Sequence, residues 1–306
     1  MLRIPLFDCH CDTIHSLVTG DQFNTLRKNK LHVDLVRGSN YEPWVQVFAL
    51  FASGPDAAMM YLQMLDRFFL EMDRNRDIIT QCRNSDEARD IAQSGKIAAF
   101  LSVEGAEQLG CSTEGLEKAA DIGVKAVNLT WNHANQLSGS NLEDTQIGLS
   151  QDGIGFLKRC NALGVLVDVS YLSDAGFWDV VKYSNGPFIA SHSNLRSLCP
   201  HPRNLTDEMF QALCDHGGVA GVNFCPEFLG EDAGMEDIVR HIEHFLDLGG
   251  EKHLGIGADL DGIGHTPHGI HGIQDTGNPY LRLLELGYNE TLLRDLFFEN
   301  FMRVFE

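Results

Sequence analysis

Short, nearly continuous runs of apolar and β-branched residues recur along the chain. They fall at 3–9 (RIPLFDC), 45–52 (VQVFALFA), 97–103 (IAAFLSV), 124–130 (VKAVNLT), 164–170 (GVLVDVS), 187–192 (PFIASH), 218–224 (GVAGVNF) and 254–259 (LGIGAD). Runs that are polar on neither face are what parallel strands buried on both sides require. Between them lie stretches whose apolar residues return every third or fourth position, the mark of an amphipathic helix. These cover 57–75, 113–121, 153–163, 173–183, 206–216 and 235–248. Eight strands alternating with helices over roughly 260 residues fit a (β/α)8 barrel. A doubly wound open sheet is the competing arrangement, but no glycine-rich dinucleotide loop follows the first run. The pattern predicts an α/β fold of the TIM-barrel type. It forms a single domain over 1–306 that ends in a helical tail.

Composition changes this picture little. With 43% hydrophobic and 22% charged residues, the 306-residue chain has an ordinary globular make-up. A formal net charge of −20 argues against nucleic acid or an anionic membrane surface as a partner. No apolar run approaches the about 20 residues of a membrane span. The cysteines, at 9, 11, 82, 111, 160, 199, 214 and 225, form no CxxC pair, and no basic-then-apolar leader opens the chain. Reduced thiols and a cytoplasmic location are therefore expected.

The chemistry gathers at the ends of the strands, where barrel enzymes place their sites. His10 and Asp12 follow the first run, Glu104 the third, and Trp131, Asn132 and His133 the fourth. Tyr171 follows the fifth, His192 the sixth, and Asp259 and Asp261 the eighth. Being two apart, His10 and Asp12 share one face of an extended strand. Imidazole nitrogen and carboxylate oxygen suit Zn²⁺ or a similar divalent ion. Cys9 and Cys11 then belong to the opposite face, packed against helices. Glu104 closes too apolar a run to lack a partner unless that end opens to solvent. His192 reads either as a second nitrogen donor or as a hydrogen-bonded core histidine. Asp259 is suited to take a proton from an activated water and pass it to a leaving group. Asp261, before Gly262, reads as a turn residue. Arg203 offers either a fork for a substrate carboxylate or a surface ion pair. His241 and His244 read as a helix face, and the glycine-rich stretch 262–277 as a loop at the edge of the site.

Taken together, HCD (10–12), VEG (103–105), LTWNHAN (129–135), SHS (191–193), RN (203–204), ADLDG (258–262) and ENFMRVF (299–305) resemble the renal or membrane dipeptidases. These are zinc-dependent members of the amidohydrolase superfamily. The match runs in order over nearly the whole chain. The resemblance implies a two-zinc site at the barrel mouth, with His10 and Asp12 on one metal, Glu104 bridging, and His192 on the second. It also implies that Asp259 is the proton shuttle and that Arg203 holds the terminal carboxylate of a dipeptide, often one with a D-residue at its C-terminal side. Trp131 and Asn132 then lie near the substrate, and a homodimer is the family's usual assembly.

The chain departs from the family pattern at two places. Where a second-metal histidine is expected after the fifth strand, it has Tyr171, and Trp131 stands where a substrate-side histidine is common. Three readings of Tyr171 stay open. It serves as a phenolate ligand, or as a neutral hydrogen-bonding residue with only one zinc bound, or His133 supplies the missing nitrogen. The leading functional expectation is dipeptide hydrolysis by metal-activated water. The alternatives are a one-metal amidohydrolase acting on another small amide or a lactone, and a non-catalytic barrel that binds metal or peptide.

Overall fold

Each of the eight apolar runs becomes a strand in the computed structural model, which describes residues 3–21 and 23–306. In chain order the strands are β1 (Ile4–Cys11), β2 (Tyr41–Phe51), β3 (Ile79–Gln81), β4 (Ile97–Glu104), β5 (Val124–Asn128), β6 (Leu166–Asp168), β7 (Ile189–Ala190), β8 (Val219–Val222) and β9 (Leu254–Ile256). All pairings between them are parallel. The sheet runs β2-β1-β9-β8-β7-β6-β5-β4-β3, and a further β2–β4 pairing closes it into a ring of eight strands. β3 is the ninth and stands outside that ring. It pairs with Ile97–Ala99 at the start of β4, on the edge that β5 takes up from Leu101 onward. Three residues, ITQ, carry too little apolar pattern to announce a strand.

The expected helices form at Ala57–Arg74, Thr113–Asp121, Gln151–Leu163, Asp174–Tyr183, Asp207–Asp215 and Met235–Asp247. Their starts are written locally. Ser112, Ser150, Ser173 and Thr206 each accept a hydrogen bond from the backbone N–H three residues on, satisfying a donor that the helix leaves free. No helix among the described residues is long and apolar enough to cross a membrane.

Two apolar layers hold the barrel. The larger lies between strands and helices. The smaller draws side chains from seven strands of the ring, among them Phe7 and Cys9, Val45 and Val47, Phe100, Leu166 and Ile189. Only the barrel interior lets so many strands converge. C-terminal residues fill its lower end, where Phe7 packs against Phe301 and Phe305 at 5.4 and 5.1 Å between ring centres.

Cys9 corrects the expected alternation. It lies in the interior layer and only Cys11 lies in the outer one. The cause is a bulge in β1, because Asp8 pairs with Gln46 but Cys11 with Phe48, three steps against two. One extra residue lets Cys9 and His10 both turn inward, the re-aiming that bulges provide beside active sites.

Between the ends of β7 and β9 the backbones leave no room for a side chain. A Cβ at Gly257 would stand 1.7 Å from the Ser191 carbonyl oxygen and 3.2 Å from the His192 Cα. Gly257→Ala is expected to destabilise the protein by about 3 kcal/mol, the upper end for overpacking, since backbone must move. The midpoint of urea unfolding measures this, and an unchanged midpoint means that the strands separate freely there.

Candidate metal centre and active site

The upper rim of the barrel collects the polar ends of the strands. Asp8 is wholly buried and accepts hydrogen bonds from Ala258 N at 2.9 Å and Gln46 Nε2 at 3.1 Å. It thereby ties β1 to its neighbours on both sides. Asp259 N donates to His10 O (3.2 Å) and Asp12 N to Leu260 O (3.0 Å). These bonds bring the sequence ends of the barrel together, and with them His10, Asp12 and Asp259. Gly262 lets them close up, for a Cβ there would lie 2.2 Å from Asp12 Oδ2 and 2.5 Å from Asp259 Oδ1.

His10 Nε2 is the centre of the cluster. It lies 3.4 Å from Asp12 Oδ2, 3.6 Å from Glu104 Oε1 and 3.9 Å from Asp259 Oδ1. His192 Nε2 approaches Glu104 Oε1 at 3.6 Å, and its ring stacks on that of His10 with centres 3.8 Å apart. Four buried atoms here find no hydrogen-bond partner: His10 Nε2, Asp12 Oδ1, Glu104 Oε1 and His192 Nε2. Each such atom costs about 1–3 kcal/mol if left alone. Two nitrogens and carboxylate oxygens facing one space form a donor set that fits a divalent cation such as zinc. Among the described residues the groups close enough to hold one are His10–Glu104–His192 and His10–Asp12–Asp259, each with its donor atoms within 4.8 Å of one another.

The electrostatics agree with a site shaped for positive charge. Burial disfavours the His10 imidazolium, yet Glu104, Asp12 and Asp259 raise its pKa to about 10. Burial and the neighbouring Asp12 push Glu104 up to about 8, against the pull of His10. Burial likewise lifts Asp259 to about 6, with His10 opposing. His192 goes the other way. Burial, then His10 and Arg203, hold it well below the usual histidine range, so its ring is neutral.

Asp259 has a left-handed backbone, φ 59°, and its Oδ2 accepts a hydrogen bond from Asn223 Nδ2 at 2.9 Å. Asp261, also at positive φ (69°), is more than a turn residue. Its carboxylate accepts from Thr13 Oγ1 at 2.6 Å and from the backbone N–H groups of His32 and Val33. It pins a distant loop to the rim.

A cavity of about 470 Å³ opens above the cluster and is lined by Asp12, Glu104, Asp259, Trp131, Asn132, Tyr171 and Arg203. Arg203 is buried, donates through Nη1 to Ser170 O, and leaves Nη2 without a partner. Its guanidinium lies over the Tyr171 ring at 3.8 Å and the Phe228 ring at 5.3 Å. From Tyr171 an aromatic row continues to Trp131 at 6.2 Å, and from Trp131 to Phe51 at 4.3 Å. Burial and Glu104 drive the Tyr171 phenol well above its ordinary value.

Of the predicted site residues, His133 stands apart. Its side chain is 65% exposed and its Nδ1 lies 2.9 Å from Glu143 Oε1, so in this arrangement it offers no nitrogen to the cluster. His241 is buried, with Nδ1 accepting from Leu195 N and Nε2 beside Leu229 O. The residues that sequence reading passed over are Asn223, His15, Phe51, His201, Cys225 and Glu227, all but Asn223 lining the cavity. Asn223 lies within the run 218–224, the one signal that could have found it.

Comparison with known proteins places this architecture. The profile described as membrane dipeptidase (peptidase family M19) matches residues 1–306. Dipeptidase verJ of Clonostachys rogersoniana is 30% identical over 248 residues, 80% of this chain and 64% of that protein. A metallo peptidase from Rhodobacter sphaeroides, solved with a phosphinate mimic of the dipeptide L-Ala-D-Ala, superposes with a TM-score of 0.92 at 25% identity, covering 99% of both chains. Dipeptidase AC, a metallo peptidase of family M19, superposes equally well, with a TM-score of 0.92 at 28% identity over 100% of this chain and 98% of the other. A closed barrel with donor atoms at its mouth and full-length agreement with these proteins leaves one assignment: this chain belongs to the membrane dipeptidase family, peptidase family M19, and is a metallo-dipeptidase.

Proposed function

We propose that the protein hydrolyses dipeptides, including those with a D-residue at the C-terminal side, at one zinc held by His10, Glu104 and His192, with Asp12 beside it. The observation that carries this is the set of four buried, unpartnered donor atoms beneath a cavity that also holds the free Nη2 of Arg203. The L-Ala-D-Ala mimic bound by the Rhodobacter sphaeroides metallo peptidase supports the substrate class. Zinc at such a centre polarises a carbonyl and acidifies water.

The chain's own groups do the rest. Arg203 Nη2 takes the substrate carboxylate, with Tyr171 and Phe228 holding the guanidinium plane in place. That contact sets the scissile carbonyl over the donor cluster. Asp259, held at Oδ2 by Asn223, takes a proton at Oδ1 from the attacking water. It then delivers that proton to the departing amine nitrogen, so the proton lost by water ends on the product. Trp131 and Phe51 wall the other side of the cavity and keep bulk water from the reacting carbonyl. Tyr171 acts as a neutral neighbour of Glu104 rather than as a ligand, with Arg203 covering its ring face.

Elemental analysis after removal of loose ions tests the zinc count, and one per chain is expected. Two per chain overturns the reading of Tyr171. Stripping with a chelator is expected to abolish L-Ala-D-Ala cleavage and stoichiometric zinc to restore it. Cleavage that survives complete stripping overturns the metal-dependent reading.

A further inference from the structure

Beneath the donor cluster lies a buried chain of hydrogen bonds that the hydrolytic reading does not use. Asp168, the last residue of β6, is 2% exposed, and each hydrogen bond of its carboxylate comes from a donor. Oδ1 accepts from Ser170 N at 3.0 Å, Ser170 Oγ at 2.7 Å and Ser191 N at 3.0 Å. Oδ2 accepts from Ser191 Oγ, which itself stands 2.6 Å from His192 Nδ1.

A hydroxyl has one proton to give. If Ser191 gives it to Asp168, His192 must donate from Nδ1, and its Nε2 keeps a bare lone pair. If Ser191 gives it to His192, Asp168 Oδ2 is left against an oxygen with no proton, inside the core. An unsatisfied buried carboxylate oxygen is the costlier outcome. We infer that Asp168 and Ser191 are positioning residues that fix His192 as the Nδ1–H tautomer, so that Nε2 faces Glu104 and the metal ready to bind. This rests on the reading of His192 as a ligand.

The same carboxylate reaches the substrate side of the site. It holds Ser170, whose carbonyl takes Arg203 Nη1 and whose hydroxyl accepts from His192 N at 3.3 Å. One buried acid thus orients both the metal nitrogen and the arginine that faces the substrate.

Asp168→Asn tests the inference directly. The amide nitrogen replaces Oδ2, Ser191 must accept from it, and the serine proton turns to Nδ1. Imidazole ¹⁵N shifts of the metal-free, labelled protein are then expected to show Nδ1–H in the natural chain and Nε2–H in the variant. Finding Nε2–H in the natural chain, or the same tautomer in both, overturns the proposal. Zinc affinity, read by competition with a chromophoric chelator, is expected to fall about 10–100-fold in Asp168→Asn and in Ser191→Ala. Ser191→Thr, which keeps a hydroxyl, should recover most of that loss. Undiminished affinity in Ser191→Ala overturns the relay. His192→Ala separates this from the underlying assignment. Zinc binding unchanged in that variant sinks the ligand reading itself, whereas a loss there with none in Ser191→Ala sinks the relay alone.

Discussion

Asp259→Asn lowers kcat by about 10²–10⁴-fold, the usual contribution of a positioned acid–base group, while bound metal stays at the natural level. The substitution is unusually clean at this position. Asp259 sits at φ 59°, in the left-handed region that asparagine tolerates nearly alone among other residues. The side-chain volume is unchanged, and the amide oxygen can still accept from Asn223 Nδ2. What disappears is an oxygen able to take a proton. Turnover with L-Ala-D-Ala and elemental analysis on the same preparation check the result. A variant with full metal and full turnover moves the proton transfer to another group.

Arg203→Met lowers kcat/KM for a free dipeptide by about 10²-fold, chiefly through KM. Hydrogen bonds to a charged group contribute about 1.5–3 kcal/mol, and each 1.4 kcal/mol is tenfold. Methionine keeps an unbranched chain against Tyr171 and Phe228 but offers nothing to a carboxylate. The same dipeptide with its C-terminus amidated is the control, because it has no carboxylate to lose. If the variant is as poor on the amide as on the acid, relative to the natural enzyme, Arg203 acts instead by supporting Ser170 O.

Much of this site could be read from the sequence because a parallel barrel leaves its strands little choice. Strands buried on both faces must be apolar, so the first ionisable residue beyond each run stands out. Glu104, His192 and Asp259 were legible for that reason. His10 was legible too, though for a reason only half right. Simple alternation puts Cys9 and His10 on opposite faces, and the bulge in β1 turns both inward. What stayed hidden depends on partners far along the chain. Asp168 reads as one more buried strand residue until register places it beside Ser191, 23 positions on. Asp261 reads as a turn until the loop at His32 and Val33 folds over it, 229 and 228 positions away. Tyr171 and His133 show the same limit from the other side. Both are close to the site in sequence, yet only Tyr171 lines the cavity, while His133 turns out to Glu143.

The aromatic plug at the foot of the barrel also sets the order in which the chain can fold. Phe7 and Phe100 both rest on Phe305, and β1 closes the ring against β9 through Asp8 and Ile256. During synthesis the first strand therefore leaves the ribosome long before the residues that fill its inner face exist. Until residues 298–305 emerge, the apolar lining of the half-made barrel has no cover, and its opening edge strands have no neighbour. Contacts so distant in sequence are slow to form and leave such intermediates prone to aggregate. The plug beneath the metal centre is thus completed only once residues 298–305 have emerged.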